Sequence, residues 1–272
     1  MTSRTVIALC ILFAPMSPAL AQPTTINYTM TLAGLPVGSA TMVLTPEGTR
    51  TSVAISGKAG GPFEIGRMNA SAVIAADQVT AQSQSGSGKN ASSATLVSRG
   101  KPGNSSFTYT GQSNRGPGKI AMTLADNRVT ALDKQIPDNP NAVRVPVTDA
   151  HKTGVVDPLS LLAQLIKPGG TWQPENLCGR SHGIFTGQSR FTMTGTALES
   201  GVAKGLPEGY QAMACKVTLT PISGHRIDKG NTGKPSTAAL VFARAPGGQT
   251  LLWSLSIPAV FGSFALTAKG LD

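Results

Sequence analysis

The feature that most constrains this chain is the period of its apolar residues, which is two. Ile26, Tyr28, Met30 and Leu32 alternate with polar neighbours, as do Ala40, Met42 and Leu44, and then Val53 and Ile55. A period of two sends successive side chains to opposite faces, so each stretch predicts a strand with one face on a core and the other in water. The pattern returns at Phe107 and Tyr109, at Ile120, Met122 and Leu124, and at Cys215, Val217 and Leu219. It returns again at Leu251, Trp253, Leu255 and Ile257, and at Phe264 and Leu266. Turn signals fall between these stretches: Thr45-Pro46-Glu47-Gly48, Gly60-Gly61-Pro62, Lys101-Pro102-Gly103-Asn104 and Gly116-Pro117-Gly118. Many short strands joined by Gly/Pro turns predict a mainly β fold, a single antiparallel β-barrel or β-sandwich-like domain.

One segment breaks the period. Asp157-Pro158-Leu159-Ser160-Leu161-Leu162-Ala163-Gln164-Leu165-Ile166-Lys167 opens with a capping Asp and a Pro at the first helical position, carries Lys in its last turn and stops before Pro168-Gly169. It predicts one short α-helix near 157–167, with Leu161, Leu162, Leu165 and Ile166 on the face that packs against the sheet. A lid over a ligand cavity is the alternative role for it. Ser83 to Ser93 is Ser/Gly-rich and reads as a loop or hairpin tip, and Gln135 to Arg144 reads as a connector.

The first residues bear on compartment. Arg4 precedes a mostly apolar run from Thr5 to Ala21 that ends in Ala19-Leu20-Ala21, the small-residue pattern of a cleavage site. The expectation is a signal peptide over residues 1–21, a single β-rich domain over 22–272 and a periplasmic address. No later stretch reaches eighteen apolar residues, so the mature chain is not expected to be an integral membrane protein.

The chain holds 23 Lys and Arg against 13 Asp and Glu, a formal net charge of +10. In an envelope the available anions are lipid head groups, lipopolysaccharide phosphates and cell-wall carboxylates, and an envelope protein is a further partner class. Nucleic acid is not expected there. The charges are scattered: Lys101, Arg115, Lys119, Arg128 and Lys134 sit among Gly, Pro and Asn rather than in a stripe.

Cys178 and Cys215 are the two cysteines beyond the leader, and an oxidising compartment makes a disulfide between them the expectation. Cys178, His182, Cys215 and His225 form a chemically plausible zinc set, but their spacings match no familiar finger. A redox pair would favour Cys-x-x-Cys, which is absent. Ser98-Arg99-Gly100-Lys101 and Lys152-Thr153-Gly154 imitate motifs of penicillin-recognising enzymes, yet Gly100, Pro102 and Gly103 oppose the helix that the first motif opens. No catalytic residue, cofactor or metal site is expected.

From Cys178 onward a set of residues reads together: Phe185-x-Gly187-x-x-Arg190-Phe191, Cys215 and Pro221-Ile222-x-Gly224-His225. With Asp157-Pro158-Leu159-Ser160 and Gly34-Leu35-Pro36-Val37-Gly38 before them, they resemble an uncharacterised family of proteobacterial exported proteins, domain-of-unknown-function family 3108. The chain departs from the family at Thr186, where the family prefers Asp between Phe and Gly. The resemblance implies an envelope β-protein and brings no catalytic residues with it. Read from the residues alone, Gly187 and Gly224 are turn positions, Arg190 opens a strand and Pro221 ends one. Arg190 and His225 are the candidate ligand or partner contacts, because function concentrates on loops.

The leading expectation is a non-enzymatic envelope protein that supports envelope integrity by binding a wall, lipid or protein partner. A carrier of an apolar or lipid-like ligand in a β-barrel cavity is the alternative, and a periplasmic hydrolase the third.

Overall fold

The computed structural model describes residues 22–59, 66–86, 91–137, 143–167, 170–199, 205–227, 233–259 and 262–271. The expected signal peptide and the turn at Gly60-Gly61-Pro62 lie outside the described residues. Nine strands come first: β1 (Thr24–Leu32), β2 (Leu35–Glu47), β3 (Arg50–Ala59), β4 (Gly66–Ile74), β5 (Gln78–Ser85), β6 (Ser92–Lys101), β7 (Asn104–Ser113), β8 (Gly116–Ala125) and β9 (Arg128–Gln135). Helix α1 (Pro158–Leu165) and a small ladder of β10 (Ile166–Lys167) with β11 (Thr171–Trp172) follow. Then come β12 (Ser181–Phe185), β13 (Arg190–Leu198), β14 (Gln211–Ser223), β15 (Ser236–Arg244), β16 (Thr250–Ala259) and β17 (Gly262–Leu271).

All strands but β10 and β11 belong to one antiparallel sheet of 15 strands, in the order β12 to β17 and then β1 to β9. The expected mainly β, antiparallel fold is thus present. Each strand pairs with its chain neighbour, and β1 joins the two runs by pairing with β17, Tyr28 opposite Ala268. The edge strands β9 and β12 do not pair with each other, so the ladder stays open there. Residues 153–156 fill the gap instead. Val155 N–H donates to Asn127 O, Val156 N–H to Gly183 O, and Phe185 N–H to Val156 O.

Alternation decides which side chains point inward. Ile26, Tyr28, Leu44, Phe107, Met122 and Trp253 enter one apolar cluster with Leu159 of α1. Each fully buried side chain of this size contributes roughly 1.5–3 kcal/mol. Tyr28 brings a hydroxyl inside and satisfies it by donating to Leu252 O at 2.7 Å; burial pushes its phenol well above the ordinary tyrosine range.

Strands β14 and β15 behave differently, because both of their faces are covered. Ala214 and Val241 enter the main cluster, while their neighbours Cys215 and Phe242 pack in a second one with Leu177. Trp172 covers that side, its ring centroid 5.7 Å from that of Phe242 at a tilted 46°. A strand buried on both faces loses alternation and reads as an apolar run, as Ala238-Ala239-Leu240-Val241-Phe242-Ala243 does.

Local structure departs from the sequence expectations at three places. Gly116-Pro117-Gly118 opens β8 rather than turning, and the turn falls one step earlier at Asn114-Arg115. The hairpin expected over Ser83 to Ser93 is present, β5 and β6 pairing on either side of it, with Ser85 opposite Ser92 and their Oγ atoms 2.8 Å apart. Helix α1 ends at Leu165, and Ile166-Lys167 is extended, as a β-branched residue and a position before proline favour. Pro221 does not end β14; it lies within the strand at a register shift against Arg190 and Phe191, one of the few places where a sheet accepts proline. By contrast, Asp126-Asn127 turns β8 into β9 with both residues at positive φ, 50° and 58°, the conformation a tight I′ hairpin requires.

Candidate functional site

The expected disulfide is formed. Cys178 and Cys215 are bonded, their Cα atoms 5.6 Å apart, and Cys215 is fully buried. The bond fastens the segment leading into β12 to the middle of β14, beside Leu177 and Phe242. With both thiols used, the chemically plausible zinc set loses its sulfur ligands. His182 Nε2 lies 2.9 Å from Asn176 O, and among the described residues no group of three His, Cys, Asp or Glu is placed to hold a metal.

Arg190 and His225 come to one corner, where the start of β13, the end of β14 and residues 143–153 meet. Arg190 donates from one guanidinium nitrogen to the carbonyls of His151 and Thr153. Arg144 does the same to Gly224 O at 2.8 Å. Backbone bonds run alongside: Val145 N–H to His225 O at 3.0 Å and Gly224 N–H to Val145 O at 2.8 Å. These arginines spend donors on main-chain carbonyls, which clamps residues 143–153 onto the sheet. Lys152, bonded to Asp149 at 3.0 Å, holds that exposed carboxyl below its usual range in the same segment.

Gly224 explains part of the corner's sequence. Its φ is +75°, and a Cβ there would run into the Gln188 carbonyl and come 2.7 Å from Ser189 Cα. Gly224→Ala is expected to destabilise the fold by about 2–3 kcal/mol, through a left-handed backbone and a backbone collision together. Thermal or urea unfolding of the variant checks this, and a change below about 0.5 kcal/mol, the range of an ordinary surface substitution, would refute it.

Asp157 is the second polar centre and it is fully buried. Its Oδ1 accepts from the N–H groups of Leu159 (3.1 Å) and Ser160 (2.9 Å), capping α1. Its Oδ2 accepts from Ser98 Oγ of β6 (3.1 Å) and Ser105 Oγ of β7 (2.7 Å). The carboxylate thus joins helix to sheet with four hydrogen bonds. Ser98, the serine of the penicillin-type motif, is strand-borne and committed to this bond rather than free as a nucleophile.

The open surface offers a different arrangement. Across the outer face of β2 to β6 lies a trough of about 540 Å³, and no described residue lining it is charged. Ile55 packs on the core, so its neighbours Ala54 and Ser56 point the other way, into the trough. Sheet register aligns one row of side chains across successive strands: Thr41 opposite Ser56, Ser56 opposite Asn69, Asn69 opposite Gln84, Gln84 opposite Ser93 and Ser93 opposite Gln112. A second row runs beside it through Val43, Ala54, Ser71, Gln82 and Thr95. Two further hollows of about 250 and 390 Å³ adjoin the trough, and Asn69 lines all three.

No residue of this trough was a candidate in the sequence. The signal was present but faint: along the trough the outward positions Thr41, Ser56, Asn69, Ser71, Gln82, Gln84 and Ser93 are uncharged and polar where a solvated sheet face ordinarily carries Lys and Glu. Neither Arg190 nor His225 lines the trough. Among the described residues, no helix is long and apolar enough to cross a membrane. The chain matches no protein-family model, no curated protein and no solved structure.

Proposed function

We propose that this is a non-enzymatic protein of the bacterial cell envelope, exported to the periplasm, that supports the envelope by holding a wall, lipid or protein component on its outer surface. The observation that carries the reading is the cystine: a buried Cys178–Cys215 bond belongs to a protein that folds where thiols are oxidised, and the apolar leader offers the route there. The resemblance to the exported family of unknown function points the same way.

Surface binding is favoured over carriage of an apolar ligand by the packing of the interior. Ile26, Leu44, Phe185 and Leu251 keep 0–1% of their surface accessible, and side chains lining a ligand-sized void would keep more. Catalysis is disfavoured by the commitments already made, since Ser98 is bonded to Asp157 and the Arg190 guanidinium to main-chain carbonyls.

The test is to express the full chain in a Gram-negative host and analyse osmotic-shock fractions. The expected product begins at Gln22, leaves with the periplasmic contents and contains no free thiol. A full-length product retained in the cytosol with both thiols reduced would overturn the proposal.

A further inference from the structure

We infer that the trough on the outer face of β2 to β6 is a binding site for an extended, uncharged glycan, with Asn69 at its centre. The inference rests on the envelope reading for its choice of occupant and goes beyond it in naming the site and the ligand chemistry.

Charge decides first. Among the described residues none that lines the trough is charged, and the adjoining hollow of about 250 Å³ brings in Lys58, which bears on what the trough can hold. Phosphate and carboxylate ligands are recognised by Arg and Lys, whose bonds to them are the strong, charge-assisted kind. An anionic lipid or a charged peptide would therefore find no counter-ion among the described residues lining the trough itself, and Lys58 in the adjoining hollow serves one end only. What the trough offers is amide and hydroxyl groups, which both donate and accept. A sugar presents the same mixture, and hydroxyls or acetamido groups pair with Asn69, Gln82 and Gln84 without needing a counter-charge.

Spacing decides second. Neighbouring strands lie about 4.8 Å apart, close to the length of one unit in an extended glycan. The row from Thr41 through Ser56, Asn69, Gln84 and Ser93 therefore presents one polar side chain per sugar to a chain lying across the strands. Val43 and Ala54 in the adjoining row supply the small apolar surface against which the C–H face of a pyranose ring packs. Ser56, Asn69, Gln84 and Ser93 are exposed, so nothing of the core has to move for them to bind.

The experiment is a calorimetric titration of the mature protein with neutral oligosaccharides of two to six units, one series of β-1,4-linked N-acetylglucosamine and one of β-1,4-linked glucose. The expected result is saturable binding that tightens with each added unit up to about five; a preference between the two series tells whether the acetamido groups are read. Asn69→Ala combined with Gln84→Ala is expected to weaken binding at least tenfold. Because both side chains are solvent-exposed, unfolding of that variant should match the parent. Ser71→Glu, which places a charge in the trough, is expected to block binding as well. Absence of binding in both series, affinity independent of length, or full affinity in both variants would overturn the inference. None of these outcomes touches the export test above, so the two readings fail separately.

Discussion

Asp157→Ala is expected to lower the unfolding free energy by about 3–5 kcal/mol, the range for removing one partner from a buried charged network. Four donors lose their acceptor at once: the Ser98 and Ser105 hydroxyls and the N–H groups of Leu159 and Ser160. All four bonds are buried, so water does not readily take the place of the carboxylate. Each orphaned donor costs roughly 1–3 kcal/mol, and relaxation of the helix start returns part of the sum. Asp157→Asn separates shape from acceptor capacity. Its amide oxygen still caps the two N–H groups, and the serine hydroxyls can rotate to accept from its NH2. The expected cost is then nearer 1–2 kcal/mol. Urea midpoints for the two variants check the order, and an Ala variant within about 1 kcal/mol of the parent would mean that the carboxylate is not the joint between α1 and the sheet.

The second large effect belongs to the cystine. Replacing both Cys178 and Cys215 by Ala releases a loop whose ends are 37 residues apart, and the chain-entropy relation puts the loss at about 4 kcal/mol. The contribution from packing is smaller, since Ala keeps the Cβ of the fully buried Cys215 beside Leu177 and Phe242. Reductant provides an internal control. It should lower the urea midpoint of the parent to nearly that of the double variant and leave the variant unmoved. Equal midpoints for parent and variant under oxidising conditions would show that the bond adds nothing to stability.

How far the sequence reaches follows from which side chains the sheet leaves half in water. Ile26, Met42, Val53, Phe107 and Met122 lie on strands with one wet face, so their period of two was legible. In β15 the run Ala238 to Ala243 is covered on both sides and the period vanishes with the water. The cap of α1 was legible because Asp-Pro states a local preference, whereas its partners Ser98 and Ser105 lie 59 and 52 residues away and leave no local trace. Arg190 and His225 drew notice as a polar pair near turns, but the partners of the Arg190 guanidinium are main-chain carbonyls, which no side-chain pattern announces. The trough stayed hidden for a related reason. Asn69 and Gln84 are unremarkable singly, and only the register of several hairpins in succession places them in one row.

The pairing of β1 with β17 has a bearing on how the molecule comes together. Most of the ladder is made of hairpins whose halves follow one another directly, and these can zip as soon as each turn is in place. The seam between Tyr28 and Ala268 cannot, because its two strands lie 240 residues apart (268 − 28) along the chain. A chain that emerges amino end first keeps β1 exposed along one side until the hairpin of β16 and β17 arrives. Such long-range closure is the slow kind, on the order of milliseconds to seconds. During that wait the open side of β1 is a template for another strand, and the protein's yield depends on its own last segment arriving before a neighbour does.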